Sequence, residues 1–136
     1  EYDPVDYKNL LFPVKEFLAD LVVGSRLLAP PYTRVHYFWH KLGNRFITLI
    51  FNILNNTTFT DIYSCYLLYR RELFTGDQLE CEGWGQHAEI LSKAIRHAAV
   101  IYEVPIRYRG RSYKEGKKIK AIDTLAVIWA IFRYRF

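Results

Sequence analysis

The sequence contains no methionine and only two cysteines, Cys65 and Cys81. Neither cysteine lies in a Cys-x-x-Cys or Cys/His spacing, which argues against structural zinc and favours two reduced thiols. The sequence begins without an initiator methionine, and no signal peptide is visible in its acidic and polar first residues, EYDPVDYKN. We therefore expect a chain that is cut from something longer or stripped of its start.

A long apolar run is missing as well. Residues 46–60 are uncharged, but asparagines and threonines interrupt them. A membrane-spanning helix needs about 20 mostly apolar residues. The sequence thus predicts no transmembrane helix, and it contains no internal repeat or low-complexity segment.

Apolar residues and positive charge are abundant instead. Of the 136 residues, 51% are hydrophobic and 17% aromatic, which suits one domain with a core of its own. The formal net charge is +5 and the pI is near 9.2. This charge favours a phosphorylated ligand, nucleic acid or an anionic membrane surface as partner, without choosing among them.

Apolar spacing predicts helices that alternate with short strands, which is typical of an α/β domain. Asp3-Pro4 is expected to start the first helix, and the apolar run in ADLVVGSR is expected to form a buried strand of a parallel sheet. The other predicted elements are a helix over 34–54, a strand within 62–74, a helix over 86–99, a strand over 100–108 and a helix over 118–136.

Two of these helices carry apolar residues at three- and four-residue spacing. The stripe of the long helix, expected to face the core, consists of Val35, Phe38, Leu42, Phe46, Leu49, Ile50 and Ile53. The stripe of the last helix consists of Ile119, Ile122, Leu125, Ala126, Trp129, Phe132 and Phe136. Basic residues flank the last helix, so it fits either packing on the sheet or a membrane interface. In the helix between them, Glu89 is expected to pair with Lys93.

A loop crowded with positive charge follows the last predicted strand. Arg107, Arg109 and Arg111 alternate there, so their side chains share one face of an extended chain. Gly110 and Gly116 permit close approach of a ligand to the backbone. Guanidinium groups suit phosphate oxygens, so the loop predicts phosphate or pyrophosphate binding; the plainer alternative is a solvated surface.

Other chemistry-bearing residues give weaker signals. Asp61 precedes a Ser64-Cys65 pair and is by itself typical of a turn. No histidine is spaced to activate Cys65 as a nucleophile. His36 and His40 share a helical face, but the His-Glu-x-x-His pattern of a zinc protease is missing.

Five segments follow one another in the order ADLVVGSR, HKLGNRFITLIFN, TDIYSCYLLYRRE, AEI and EVPIRYRGRSYKEGKKI. With these motifs the chain resembles the C-terminal half of family 2 glycosyltransferases of the dolichyl-phosphate mannosyltransferase and polyprenyl-phosphate sugar transferase type. The resemblance covers nearly the whole chain, and the pairing of GSR with the EVP segment is its most specific part.

The resemblance implies a Rossmann-like GT-A domain whose N-terminal half binds the nucleotide-sugar. In that family an Asp-x-Asp motif, often within DADLEYDP, holds Mg²⁺ or Mn²⁺ on the diphosphate. Because this chain opens with EYDP, the metal-binding aspartates are expected upstream of Glu1. Residues 1–136 are then the acceptor-side part of one truncated GT-A domain, with a basic loop over 107–118 and an amphipathic helix over 118–136, and are expected to be inactive alone.

Site residues are implied by the matched motifs. Asp61 matches the aspartate beside the reacting centre, and Glu89 matches the glutamate before a helix. The residues implied to bind the acceptor or its phosphate are Arg26, Lys41, Asn44, Arg45, Arg107, Arg109, Arg111, Lys117 and Lys118. The chain departs from the family where Leu67 replaces a basic residue and where GQHAEI replaces FEPEI.

The implied reaction moves mannose or glucose, with inversion, from a donor such as GDP-mannose or UDP-glucose to a polyprenyl or dolichyl phosphate. The acceptor phosphate is already ionised near neutral pH, so Asp61 would orient groups; toward a sugar hydroxyl it would be the candidate base. Such a protein is expected to lie at the cytoplasmic face of a membrane.

Two other interpretations remain open. The charge and the 11 tyrosines also suit a basic nucleic-acid-binding module without catalysis, although the aromatic residues lie mostly at core spacing and no such motif occurs. The chain is alternatively an inactive structural remnant.

Overall fold

The computed structural model describes residues 1–35, 37–74, 79–116 and 121–135. Helices and strands alternate in the described part, as the sequence predicts. The elements are α1 (Tyr7–Phe17), β1 (Leu21–Ser25), α2 (Phe38–Asn55), β2 (Leu67–Tyr69), α3 (Gln86–His97), β3 (Ile101–Pro105) and α4 (Ala121–Arg135). The predicted α/β class is therefore confirmed, with a small mixed sheet.

The three strands lie in the order β2-β1-β3. Strand β1 runs parallel to β3 and antiparallel to β2, so that Val22 lies opposite both Tyr102 and Leu68. Every residue of β1 is buried, as predicted for a central strand. The parallel pairing of β1 with β3 agrees with the predicted strand of a parallel sheet, and the short strand β2 adds an antiparallel pair that the sequence did not predict.

Alternate side chains of β1 supply two cores on opposite faces of the sheet. Leu21 and Val23 pack against helices α2, α3 and α4, where Phe51, Leu91 and Ile131 are fully buried. Each such side chain contributes about 1.5–3 kcal/mol relative to exposure. On the other face Val22 packs under α1 in a smaller cluster. The sheet is thus packed on both faces. The loops that follow the carboxyl ends of its strands are therefore attached to a well-packed core.

The N-terminal turn forms as predicted. The Asp3 carboxylate accepts a hydrogen bond from the Val5 N–H at 3.0 Å, and Pro4 begins a single 3-10 turn that leads into α1. Helix α1 ends at Phe17, and the C-cap residue Leu18 adopts a left-handed conformation with φ 55°. The N-terminal 3-10 turn places its acidic residues near the loop that follows β3.

Helix α2 differs from the prediction in two respects. It begins at Phe38, not at Arg34, and Val35 lies outside it with 92% of its surface exposed. The stripe predicted to face the core is largely exposed, whereas Ile47 and Phe51 are buried. Apolar residues occur on more than one side of this helix, so spacing alone does not identify the side that packs.

Helix α4 shows the same inversion. Its buried side chains are Val127, Ala130, Ile131 and Tyr134. The exposed members of the predicted stripe are Ile122, Leu125, Ala126, Trp129 and Phe132. Packing of this stripe on the sheet is therefore wrong as an interpretation. The predicted positions Ile119 and Phe136, with the basic residues of the predicted first turn, lie outside the described residues.

Candidate functional site

Arg26 and Asp61 form an ion pair at the carboxyl edge of the sheet. Arg26 follows β1 directly, and Asp61 lies in the segment between α2 and β2. Arginine Nε lies 2.7 Å from Asp61 Oδ2 and Nη2 lies 2.9 Å from Oδ1, while the Arg26 backbone N–H also donates to Oδ2 at 3.1 Å. This two-point geometry fixes the plane of the guanidinium group.

Asp61 is fully buried and ionised. Burial by itself raises the pKa of Asp61, but the hydrogen bonds and charge of Arg26, with the backbone N–H of Tyr63, outweigh burial and hold the pKa below its usual range. A carboxylate of this kind is a weak base. The geometry therefore suits an orienting role for Asp61 better than proton abstraction.

The guanidinium of Arg26 keeps one nitrogen outside this pair. Its bonds to Asp61 use Nε and Nη2, and the side chain is 10% exposed. The carbon of the group lies 5.1 Å from the ring centroid of Tyr108, which follows β3. The Tyr108 side chain also hydrogen-bonds to Arg26, so an anion at this edge would meet the guanidinium group together with Tyr108.

Beneath the ion pair lies a group of polar residues that sequence reasoning missed. Glu103 of β3 accepts the backbone N–H groups of Thr60 and Asp61 at 3.0 and 3.1 Å. The Thr60 hydroxyl in turn lies 2.6 Å from the hydroxyl of Ser25. The available signal was an acid at the centre of an otherwise apolar strand, where a charge needs partners.

The predicted arginines 107, 109 and 111 are brought together. They line a cavity of about 810 Å³ that opens beside the carboxyl end of β3. Its lining residues are Glu1, Tyr2, Asp3, Pro4, Tyr32, Arg34, Arg107, Arg109, Arg111 and Glu115. Arg34 and Tyr32 are members that the sequence did not indicate, because they come from the loop between β1 and α2.

Carboxylates already contact most of the arginines of this cavity. Arg107 lies 3.0 Å from buried Asp6, and its backbone N–H donates to the same carboxylate at 2.6 Å. Arg111 lies 3.3 Å from Glu1. The lining is therefore nearly balanced in charge, and an incoming anion would have to exchange with these carboxylates.

Arg34 ties the basic loop to the segment before α2. Its Nη1 lies 3.0 Å from Glu115 and donates to the Gly110 carbonyl at 3.0 Å. Hydrogen bonds from Ser112 and from Arg34 lower the pKa of Glu115 to about 2. A second tie joins the Tyr113 hydroxyl to His40 Nε2 at 2.7 Å. The loop is thereby held against the N-terminal end of α2.

The remaining predicted phosphate ligands are not part of the two segments that carry Arg26 and Asp61. Lys41 and Arg45 are exposed, and Asn44 is half-buried, on the first turns of α2. They belong to the helix end to which the basic loop is tied. The predicted ligands Lys117 and Lys118 lie outside the described residues.

Glu89 is a structural anchor. It is fully buried within α3 and accepts hydrogen bonds from the backbone N–H groups of Glu80 and Cys81 at 2.9 and 2.7 Å. Lys93 lies 2.7 Å away, which confirms the predicted pairing. This carboxylate fixes the segment before α3.

His87, on the first turn of α3, is a half-buried neutral group near the ion pair. Burial lowers the pKa of His87 to about 4; the charge of Asp61 opposes this shift and that of Arg26 reinforces it. Its Nε2 is buried and lacks a hydrogen-bond partner in the described structure. At neutral pH the ring therefore adds no charge to this edge of the sheet.

Two of the three helices on the larger core face, α2 and α4, keep an apolar stripe exposed to solvent. On α2 the exposed members are Phe38, Trp39, Leu42, Phe46, Leu49 and Ile53, and on α4 they are Ile122, Leu125, Trp129 and Phe132. The two helices contact each other. Exposed aromatic and aliphatic side chains in such numbers indicate an interaction surface.

Two kinds of feature are missing from the part of the chain that the structure describes. No described helix combines the length and the hydropathy that crossing a bilayer requires. Within the same residues, no three side chains of His, Cys, Asp or Glu cluster as metal ligands.

Comparison with known proteins gives a distant similarity to a glycosyltransferase. No protein-family model matches the chain. It is similar to glycosyltransferase AglJ of Haloferax volcanii, with 29% identity over 113 residues. The match takes in 81% of this chain but only 36% of the relative. The chain thus spans about a third of the length of that glycosyltransferase.

Proposed function

We propose that this chain is the acceptor-side part of an inverting glycosyltransferase that acts on a polyprenyl or dolichyl phosphate. The observation that carries the proposal is the arginine-lined cavity beside the Arg26–Asp61 pair, in a chain similar to a glycosyltransferase. Both features lie at the carboxyl edge of the sheet, which is where ligands of α/β domains bind. GT-A architecture, and mannose or glucose as the sugar, are part of the proposal.

The acceptor phosphate is placed between Arg26 and the basic loop. An oxygen of this phosphate attacks the anomeric carbon of the donor as the bond to the nucleoside diphosphate breaks, and the leaving oxygen takes the electron pair. Arg107, Arg109 and Arg111 stabilise the negative charge of the phosphates. Asp61 orients Arg26 and takes no proton, because the attacking oxygen is already ionised.

The described residues do not fit a metal site. Three carboxylates line the cavity, and each contacts an arginine: Glu1 contacts Arg111, Asp3 contacts Arg107 and Glu115 contacts Arg34. No three potential metal ligands cluster in the described part. The Mg²⁺ or Mn²⁺ that the family resemblance implies is therefore assigned to residues outside this chain. Among the described residues, the arginines of the cavity are then the main groups that this chain offers to phosphate.

The proposal includes a membrane partner at the cytoplasmic face. A polyprenyl carrier stays in the bilayer, so the protein must reach the lipid surface. The exposed stripes of α2 and α4 offer Trp39, Trp129 and Phe132 for the interface. Exposed Lys41 and Arg45, on the same helix as Trp39, favour anionic lipid by about 1 kcal/mol each.

A binding experiment separates this function from the nucleic-acid alternative. Vesicles of phosphatidylcholine with a few per cent undecaprenyl phosphate are compared with the same vesicles without it and with a single-stranded oligonucleotide. We expect preferential retention of the chain on the phosphate-bearing vesicles, weakened by salt. Equal retention on both vesicles, or tighter binding to the oligonucleotide, would overturn the proposal.

A further inference from the structure

Glu103 occupies an unusual place for an acid. It lies in β3, opposite Val23 of the fully buried central strand, and is half-buried there. Its carboxylate accepts the Thr60 N–H at 3.0 Å on each oxygen and the Asp61 N–H at 3.1 Å. The backbone on which Asp61 is mounted is therefore held from β3 by this one side chain.

Hydroxyl groups extend the same network to β1. Ser25 Oγ accepts the N–H groups of Leu27 and Leu28 at 3.1 and 3.0 Å, which occupies its two lone pairs. Its own proton must then go to Thr60 Oγ1, 2.6 Å away. The Thr60 proton is left to donate, and its side chain hydrogen-bonds to Glu103. The chain of donors thus runs from Ser25 through Thr60 and ends on Glu103.

We propose that Glu103 is a positioning residue that sets the orientation of the Arg26–Asp61 pair. Its bonds fix the backbone of Thr60 and Asp61, and through Thr60 they fix Ser25, the residue before Arg26. The positions of both members of the ion pair therefore depend on the Glu103 carboxylate. That the oriented group is then presented to an acceptor phosphate rests on the function proposed above.

The electrostatics of Glu103 favour a positioning role over a stabilising one. Burial raises the pKa of Glu103, and the charge of Asp61 adds to this, while hydrogen bonds from Thr60 and Asp61 oppose it. A carboxyl group whose pKa is raised on folding makes the folded state less stable as pH rises through its unfolded and folded pKa values. Ionised Glu103 therefore lowers the stability of the folded state. Residues that lower stability in this way are common at functional sites, where the residue type is required for function.

The test uses the 136-residue chain and three variants. Glu103→Ala removes every acceptor, Glu103→Gln keeps one acceptor oxygen, and Thr60→Val removes the bridging hydroxyl. Glu16→Gln, an exposed acid of α1, is the matched control. The readout is the NMR hydrogen-exchange rate of the Arg26 Nε–H, which donates to Asp61, compared with the Leu91 amide in the core.

We expect the Arg26 Nε–H to exchange roughly tenfold faster in Glu103→Ala, with an intermediate rate in Glu103→Gln and Thr60→Val, and an unchanged Leu91 amide. At pH 7 the Glu103→Gln variant is expected to be at least as stable as the parent. Unchanged Arg26 exchange in Glu103→Ala would overturn the proposal, as would parallel acceleration at Leu91. If Glu103→Ala does not fold, then parent-like Arg26 exchange with lowered stability in Glu103→Gln overturns it instead.

Binding to undecaprenyl-phosphate vesicles separates this inference from the proposed function. If Arg26 exchange responds as expected but the parent chain does not bind the lipid phosphate, then positioning stands and the proposed function fails. If the parent binds and Glu103→Gln binds several-fold more weakly, both stand. If Glu103→Gln loosens Arg26 yet binds equally well, positioning toward the acceptor is wrong.

Discussion

Arg26 and Asp61, separated by 35 residues in the chain, meet through two parallel bonds of 2.7 and 2.9 Å. The pair joins the carboxyl end of the central strand to the loop that follows α2. Because Asp61 is fully buried and Arg26 nearly so, each charge depends on the other for its solvation. This dependence makes the pair the most sensitive point of the proposed site.

Replacing Asp61 by asparagine is expected to destabilise the fold by about 3–5 kcal/mol, because Arg26 keeps its charge in a buried position. Urea unfolding measures the loss. The control is Arg34→Ala, which breaks the exposed pair with Glu115 and should cost less than about 1 kcal/mol. Similar losses in the two variants would mean that the buried pair carries no special weight.

Arg111→Ala is expected to weaken binding to undecaprenyl-phosphate vesicles about ten- to a hundredfold. A lost charge-assisted bond to phosphate costs about 1.5–3 kcal/mol. Lys15→Ala removes an exposed charge of α1 and controls for net charge. Small and equal effects of the two variants would show that the loop is a solvated surface without a phosphate-binding role.

Acid is expected to release the basic loop from the segment before α2. The pKa of Glu115 is lowered from 4.5 to about 2, so the stability that Glu115 contributes is complete above pH 4.5 and is lost as pH falls toward 2. The amide resonances of Ser112 and Tyr113 should follow this titration by NMR. In Glu115→Gln the same resonances should no longer move in that window; if they do, another group governs the tie.

Trp39→Ser and Trp129→Ser are each expected to weaken binding to anionic vesicles by about tenfold, because each exposed ring would lose its place at the interface. Sedimentation with vesicles at low and high salt measures the change. Trp84→Ser is the control, since Trp84 stacks on Tyr63 beside α3. Unchanged binding of the first two variants would assign attachment to another part of the molecule.

The 136-residue chain alone is expected to transfer no sugar, because the proposed function assigns the donor diphosphate and its metal ion to residues outside this chain. The assay supplies GDP-mannose or UDP-glucose, a polyprenyl phosphate and Mn²⁺. Robust turnover would contradict the assignment of this chain to the acceptor side. A longer protein that contains the chain serves as the positive control.

Local rules were sufficient where one interaction decides the structure. The turn at Asp3-Pro4, the buried strand β1 and the Glu89–Lys93 pair follow from capping, β-branched composition and helical spacing. The clustering of arginines 107, 109 and 111 likewise follows from their alternation. Each of these features depends on residues close together in the chain.

The sequence did not predict which side of a helix packs inward or which distant residues come into contact. Nothing in the spacing of α2 shows that Phe51 packs inward while Phe46 faces solvent, because both positions lie on apolar sides of one helix. The contact of Asp6 with Arg107 joins residues 101 positions apart, so no local pattern announces it. Glu103 likewise lies 43 positions from Thr60 and 42 from Asp61, so no local pattern indicates its role.

Gly24 occupies a position without room for a side chain. A methyl group there would stand 2.9 Å from Ile106 Cγ2 and 3.0 Å from the Cβ of Tyr66. Ile106 in turn donates its N–H to the Ser25 carbonyl at 3.0 Å, so any shift is passed to the residue before Arg26. In a random mutant library, alanine at this position would score as an active-site lesion although it touches no ligand. A map of inactivating mutations would therefore include residues, such as Gly24, that do not contact the ligand.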